Sequence, residues 1–256
     1  MKGEHEQQVQ EFRQKMENVI NTNPTIFHPA DVKRIQEDAA YCGRFLRMTK
    51  NDPDHAVEYA KKAFEWRKSM GVNDMSESTL KACRFLKSES LYPYGVTKSG
   101  AHILVMKARN HIKPKNAEEA LEHRKLFAFV LDTLIKEKNV ERVCLMMDCQ
   151  NAGVSNVDME GINFMISAFR DYYPAYLEQI LVVDIPWVLK AVWTAIKRLL
   201  PREAQKIIHF VDAKHLSQYI EPDNLPISLN GTNDYCYKYV PGQALGLFCP
   251  KAQQLK

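Results

Sequence analysis

The stretch Ile180-Leu-Val-Val-Asp-Ile-Pro-Trp-Val-Leu-Lys-Ala-Val-Trp-Thr-Ala-Ile-Lys-Arg-Leu-Leu200 decides the fold. It has about the length of a membrane span, but Asp184 and Pro186 interrupt it, and Pro186 suits the first position of a new helix. It therefore reads as a strand from Ile180 to Asp184, a turn, and a helix from Trp187 to Leu200. Within the helix, Lys190, Thr194, Lys197 and Arg198 recur at i, i+4, i+7 and i+8 and make one polar stripe. Nearly every other position is apolar, roughly twice what a helix with one packed face uses. Two readings fit: a helix wedged between layers, or a lid with one face toward an internal ligand and another toward a membrane. Exposing four of its large apolar side chains to water costs roughly 1.5–3 kcal/mol each. The sum rivals the whole stability of a typical domain, about 5–15 kcal/mol. Such a lid opens rarely in water and readily against a bilayer.

Outward from this stretch, strands and helices alternate. Val143 to Met147 reads as a strand, Asn156 to Tyr172 as a helix, and Ile207 to Val211 as a strand. Upstream, Ile103-Leu-Val-Met106 follows the turn Ser99-Gly100, and a long helix from Ala117 to Lys138 carries the stripe Leu121, Ala128, Leu131, Ile135. This alternation predicts crossover units and a parallel or mixed sheet. The first 75 residues read as helices, and Asp54 to Lys68 places Ala56, Ala60, Ala63 and Arg67 on one side. Asp74 and Glu77 suit a capping pair for a helix running to about Lys87. The expected organisation is a helical extension (1–75), an α/β domain (76–240) and a loosely attached tail (241–256).

Composition agrees with an ordinary globular chain: 256 residues, 45% hydrophobic, 26% charged, net charge +4. That charge is too mild to point to a nucleic-acid partner. None of the six cysteines (42, 83, 144, 149, 236, 249) forms a Cys-x-x-Cys pair, so reduced cytosolic thiols are expected. Met1 to Gln8 lacks the apolar core of a signal peptide, and Gly3 follows Lys2, so no myristoylation signal is read. No phosphate-binding, zinc-protease or nucleophile-elbow motif appears. Asp148 reads as a structural turn residue, Ser155 and Asp158 as a capping box, and the eight histidines as scattered without metal spacing. Neither catalytic residues, nor a metal, nor a cofactor is expected.

Several motifs then fall into one order. They are Arg44-Phe-Leu-Arg47 and Phe64-Glu-Trp-Arg67, Val143-Cys-Leu-Met-Met-Asp148 with Gly153-Val-Ser-Asn-Val-Asp158, Tyr172-Tyr-Pro174, Ile180 to Trp187, Leu225-Pro226 and Asn230-Gly231-Thr232. Over residues 38 to 240 the chain resembles the CRAL-TRIO lipid-binding family. The resemblance implies an α/β fold: a helical N-terminal lobe packed on a mixed β-sheet domain, with an apolar ligand pocket closed by a gate helix. It implies a carrier or sensor of one hydrophobic lipid, phospholipid or similar, and no enzymatic activity. The lipid-binding residues it points to are Val143, Leu145 and Met147 on the central strand, Trp187, Val188, Ala191, Val192, Trp193 and Ile196 on the gate helix, and Lys206. In members similar to the yeast phosphatidylinositol transfer protein, a glutamate follows Tyr-Tyr-Pro and the strand supplies two hydroxyls; here those positions are Ala175, Val143 and Leu145. Only Lys206 matches a phosphate contact, which leaves the head group open.

Lys190, Lys197 and Arg198 are the expected contacts to an anionic membrane surface. The implied location is cytoplasmic, with peripheral and reversible membrane association. Trp66-Arg-Lys68, Val72-Asn-Asp74 and Glu77-Ser78 resemble a branch of the family that also carries a major-sperm-protein-like domain and a membrane anchor, so other domains of a longer parent protein are further expected partners. The alternative is a membrane-recruited interaction scaffold with a non-transporting pocket.

Overall fold

A computed structural model describes residues 2–80 and 83–242. The chain divides into two compact units, one of Met1–Met75 with Phe164–Tyr176, the other of Ser76–Asn163 with Leu177–Lys256.

The first unit holds α1 (Lys2–Thr22), α2 (Pro29–Glu37), α3 (Ala39–Met48) and α4 (Pro53–Met70). Each boundary has a local cause. Asp38 accepts the Tyr41 amide at 2.8 Å to start α3, Asp52 accepts those of Asp54 and His55 to start α4, and Gly71 ends α4 at φ 70°. Ala56, Ala60, Ala63 and Arg67 are all buried, on the side that the spacing predicts. Around the alanines pack Phe12, Tyr41, Phe45 and Phe64, with ring centroids 5.2–6.3 Å apart. Residues 164–176 complete this unit. Trp66 stacks on Tyr172 at 4.1 Å, Arg44 lies 3.8 Å over the Tyr176 ring, and Arg34 donates to the Tyr176 hydroxyl at 3.0 Å.

Between Asp74 and Lys87 the structure departs from the single helix expected there. Short turns at Val72–Asp74 and Glu77–Thr79 precede a five-residue helix, α5 (Cys83–Lys87). Asp74 instead faces His28, and the local cap is Thr79 Oγ1 accepting the Ser76 amide at 2.9 Å. Glu77 binds the far end of the described chain, accepting the Tyr239 hydroxyl and, at 2.9 Å, the Gly242 amide. Most of the tail expected to be loosely attached, residues 243–256, lies outside the described residues.

The second unit is built on β1 (Leu91–Val96), β2 (His102–Lys107), α6 (Ala117–Lys138), β3 (Val143–Asp148), α7 (Met159–Ser167), β4 (Leu177–Val183), α8 (Lys190–Leu199), α9 (Arg202–Lys206) and β5 (Ile208–Val211). The sheet order is β1-β2-β3-β4-β5, with β1 antiparallel and the rest parallel. β1 is an addition to the sequence reading. Its Pro93 and Gly95 argue against a strand, yet Pro93 is tolerated at a sheet edge, and Gly95 takes φ 57° where the register slips. In α6, Ala128, Leu131 and Ile135 are buried as expected, but Leu121 is exposed because the buried side begins nearer Leu126. α7 starts at Met159: Asp158 alone caps it, accepting the Gly161 amide at 3.0 Å, so the expected cap by Ser155 is corrected. Its expected continuation to Tyr172 becomes a wider turn over Ala168–Tyr172. After β5, short turns carry the chain to Asn230, which takes φ 60°, and to Gly231, where a Cβ would lie 1.9 Å from the Leu225 carbonyl oxygen.

Candidate functional site

Parallel pairing fixes which side chains share a face. Leu145 stands beside Ile180 and Met147 beside Val182; these in turn stand beside Ile208 and Phe210. The six form one apolar surface across β3, β4 and β5. Leu145 and Val182 are buried, whereas Met147, Ile180 and Ile208 are half-buried and Phe210 is 44% exposed. Large apolar side chains left partly open on adjacent strands are unusual for a finished core.

α8 meets this surface at the edge strand β5. The chain leaves β4 through Asp184, which takes φ 47° and is fixed by accepting Gln150 Nε2 at 2.8 Å and the Ala213 amide at 2.9 Å. A tight turn, Trp187–Leu189, then leads into the α-helix, so the expected helix begins three residues later than its apolar run. Leu189 is buried, and Val192, Trp193 and Ile196 are half-buried at i, i+3, i+4 and i+7 spacing. Trp193 meets Phe210 edge to face, with centroids 4.9 Å apart. Lys190, Thr194, Lys197 and Arg198 are exposed, with the Thr194 hydroxyl donating to the Lys190 carbonyl at 3.2 Å.

The expected lipid-binding residues therefore separate. Leu145 and Met147 share the open face, and Val192, Trp193 and Ile196 lie on the side of α8 that carries the Phe210 contact. Val143 belongs to the same strand face but is fully buried. Trp187 is 82% exposed, Val188 39%, and Ala191 is also exposed, so these three stand in solvent. Lys206 is on α9, exposed, and paired with Glu203 at 2.8 Å. Ile180, Val182, Ile208 and Phe210 were not singled out in the sequence. The two-residue spacing of Ile180 with Val182 and of Ile208 with Phe210, which puts each pair on one side of its strand, was the signal that could have found them.

On the opposite face, β1, β2 and β3 and residues 226–237 enclose a cavity of about 150 Å³ lined by Tyr92, Tyr94, Lys107, Asp148, Tyr235 and Tyr237, among others. Sites for drug-sized ligands run to about 300–1,000 Å³, so this one is too small for a lipid. Asp148 there is buried and accepts Arg109 Nη1 at 3.0 Å and the Gln150 amide at 3.1 Å, the bonding of a strand-end anchor. Burial pushes the Cys144 and Cys149 thiols up to about 12, which makes them inert. Cys42 is buried and Cys236 exposed, both as thiols. Among the described residues no cluster of His, Cys, Asp or Glu is placed to hold a metal ion, and no helix is long and apolar enough to cross a membrane.

Comparison with known proteins agrees with this architecture. The crystal structure of Sfh5 superposes with a TM-score of 0.71 over 96% of this chain and 95% of that one, at 12% identity, a likeness of fold. A CRAL-TRIO domain-containing protein of Schizosaccharomyces pombe is 28% identical over 77% of this chain and 46% of its own length. The Sec14 cytosolic factor of the same yeast is 25% identical over 76% of this chain and 74% of its own. A phosphatidylinositol transfer protein of Eremothecium gossypii is 25% identical over 55% of this chain. The chain spans 46% of the length of the first of these curated relatives and 33% of that of the Eremothecium protein. Residues 86–231 match the CRAL/TRIO domain model, and that stretch contains the whole sheet, α6, α7 and α8. The chain belongs to the CRAL/TRIO domain family, a family of lipid-binding domains.

Proposed function

We propose that the chain binds a single hydrophobic lipid on the open face of β3, β4 and β5 beneath α8 and exchanges it with membranes, as a carrier or sensor. One observation carries this reading: Trp193 of α8 meets Phe210 of β5, and Val192 and Ile196 on that helix and Met147, Ile180 and Ile208 on that sheet face are apolar and only half-buried. Two apolar surfaces in that state gain roughly 25 cal/mol per Å² when a hydrocarbon fills the space between them. The Eremothecium relative, a phosphatidylinositol transfer protein by name, supports a lipid of the phospholipid size class. The partner surface is an anionic membrane met by Lys190, Lys197 and Arg198, with peripheral, reversible attachment from the cytoplasm. No step of chemistry is assigned.

The domain reading that goes with it is a helical extension over 1–75, a lipid-binding domain over 76–240 and a tail over 241–256. The motifs around Trp66, Val72 and Glu77 support a likeness to the CRAL-TRIO part of motile sperm domain-containing protein 2, and further domains of a longer parent protein go with that reading. Native mass spectrometry after incubation with mixed liposomes tests the proposal. One lipid retained per chain is the expected result. A chain that stays empty, and accepts no lipid from any liposome, overturns it in favour of a membrane-recruited scaffold.

A further inference from the structure

We infer that the junction of α5, α6 and the start of α7 is an acid-sensitive latch made by His111, His123 and Asp158. Asp158 has two tasks there. One carboxylate oxygen accepts the Gly161 amide at 3.0 Å and so caps α7; the other accepts His111 Nε2–H at 3.3 Å. Both side chains are nearly sealed from water, at 10% and 8% exposure. The His111 ring meets the His123 ring at 4.9 Å, and His123 also packs on Phe85 of α5 at 5.2 Å. His111 thus joins the His123 ring to one carboxylate, and that carboxylate holds the end of a helix.

The surrounding charges give a second proton no partner. Glu119, one turn before His123 on α6, is occupied by Arg84 of α5 at 2.5 Å and by the Lys115 amide at 2.7 Å. Glu160 of α7 is paired with Arg124 of α6, and Arg109 is committed to Asp148. The first proton goes to the other ring nitrogen of His111, and the Asp158 carboxylate balances the charge. A second, on His123, then meets a like charge one ring away inside a water-poor junction. Burial, reinforced by His111, holds the His123 pKa down at about 4, and burial lowers that of His111 too. The sign follows: with folded values below the ordinary 6.5, the opened junction takes up protons first as pH falls. Closure is fully favoured above about pH 6.5 and weakens progressively toward pH 4. Opening swings His123 out and strips Asp158 of its neighbours, and none of α7's side chains from Met159 to Ser167 is fully buried to hold that helix in place.

Amide hydrogen exchange on the full chain tests this, read at Gly161 and Ile162 and corrected for the intrinsic pH dependence of exchange. Protection there should fall at least about tenfold between pH 7 and pH 5, while amides of β3 keep theirs. His123→Phe fills the same space without a titrating group and should remove the effect; His111→Gln should reduce it. Equal acid loosening in wild type and His123→Phe would overturn the inference, as would no loosening in wild type. Should His123→Phe fold poorly, proton NMR titration of the wild-type imidazoles decides: both rings titrating near 6.5 defeats the latch, and two values below it support the latch.

Discussion

Arg67 lies inside the N-terminal unit with its guanidinium on Asp31 at 2.8 Å, and the second oxygen of Asp31 accepts Asn73 Nδ2 at 2.6 Å. Removing the guanidinium leaves a buried carboxylate without its countercharge. Arg67→Met should therefore lower stability by about 3–5 kcal/mol, seen as a lower urea midpoint with an unchanged slope. Adding Asp31→Leu should recover part of the loss, since an apolar pair needs no compensation. The helical spacing of Ala56, Ala60, Ala63 and Arg67 announced the buried side, but not that a charge on it would be matched. Periodicity reports faces, and the partner lies 36 residues away. Gly231 makes a second test at this scale. A methyl group there has nowhere to go beside the Leu225 carbonyl, so Gly231→Ala should destabilise by more than about 4 kcal/mol in thermal unfolding. Ala at neighbouring Thr232, which is exposed, should be almost silent.

Among elements, α8 and the turn before it separate two roles that the sequence had merged. Trp187 stands in water, so Trp187→Ala should leave stability within about 0.5 kcal/mol of wild type and keep any bound lipid, while weakening partition onto vesicles. Trp193 meets Phe210, so Trp193→Gln should lower both lipid occupancy and stability, the latter by about 1–3 kcal/mol for an unpartnered amide. Changing Lys190, Lys197 and Arg198 together to glutamine should weaken binding to anionic vesicles by up to about two decades at low salt, and much less at high salt. Unchanged vesicle partition in the triple variant would turn that stripe into ordinary solvated surface. The helix, its polar stripe and its strand were legible because an amphipathic pattern states which residues share a side. Which apolar side faced inward was not legible. Trp187, Val188 and Ala191 lie in a turn and helix with apolar residues almost all round, and only packing against Phe210 chooses between the sides. β1 was hidden for the opposite reason: Pro93 and Gly95 carry local signals against a strand, and the edge position that overrides them is a property of the sheet.

At the scale of the molecule, the alternation of strands and helices from residue 102 to 211 was readable, and it appears as neighbouring parallel strands laid down in chain order. Chain order and space coincide there, which is why local patterns sufficed. They fail where a unit is assembled from distant pieces, and the N-terminal unit is such a case: residues 164–176 belong with residues 1–75. During synthesis the first four helices emerge long before Tyr172 and Tyr176. At about 5–20 residues per second, the intervening stretch of roughly a hundred residues takes about 5–20 s to make. For that interval Trp66 has no ring to stack on, and Arg44 and Arg34 have no Tyr176. The nascent helices therefore wait incomplete, exposed to chaperones and proteases, until the ribosome has passed the third strand. A chain terminated before residue 164 leaves them in that state for good.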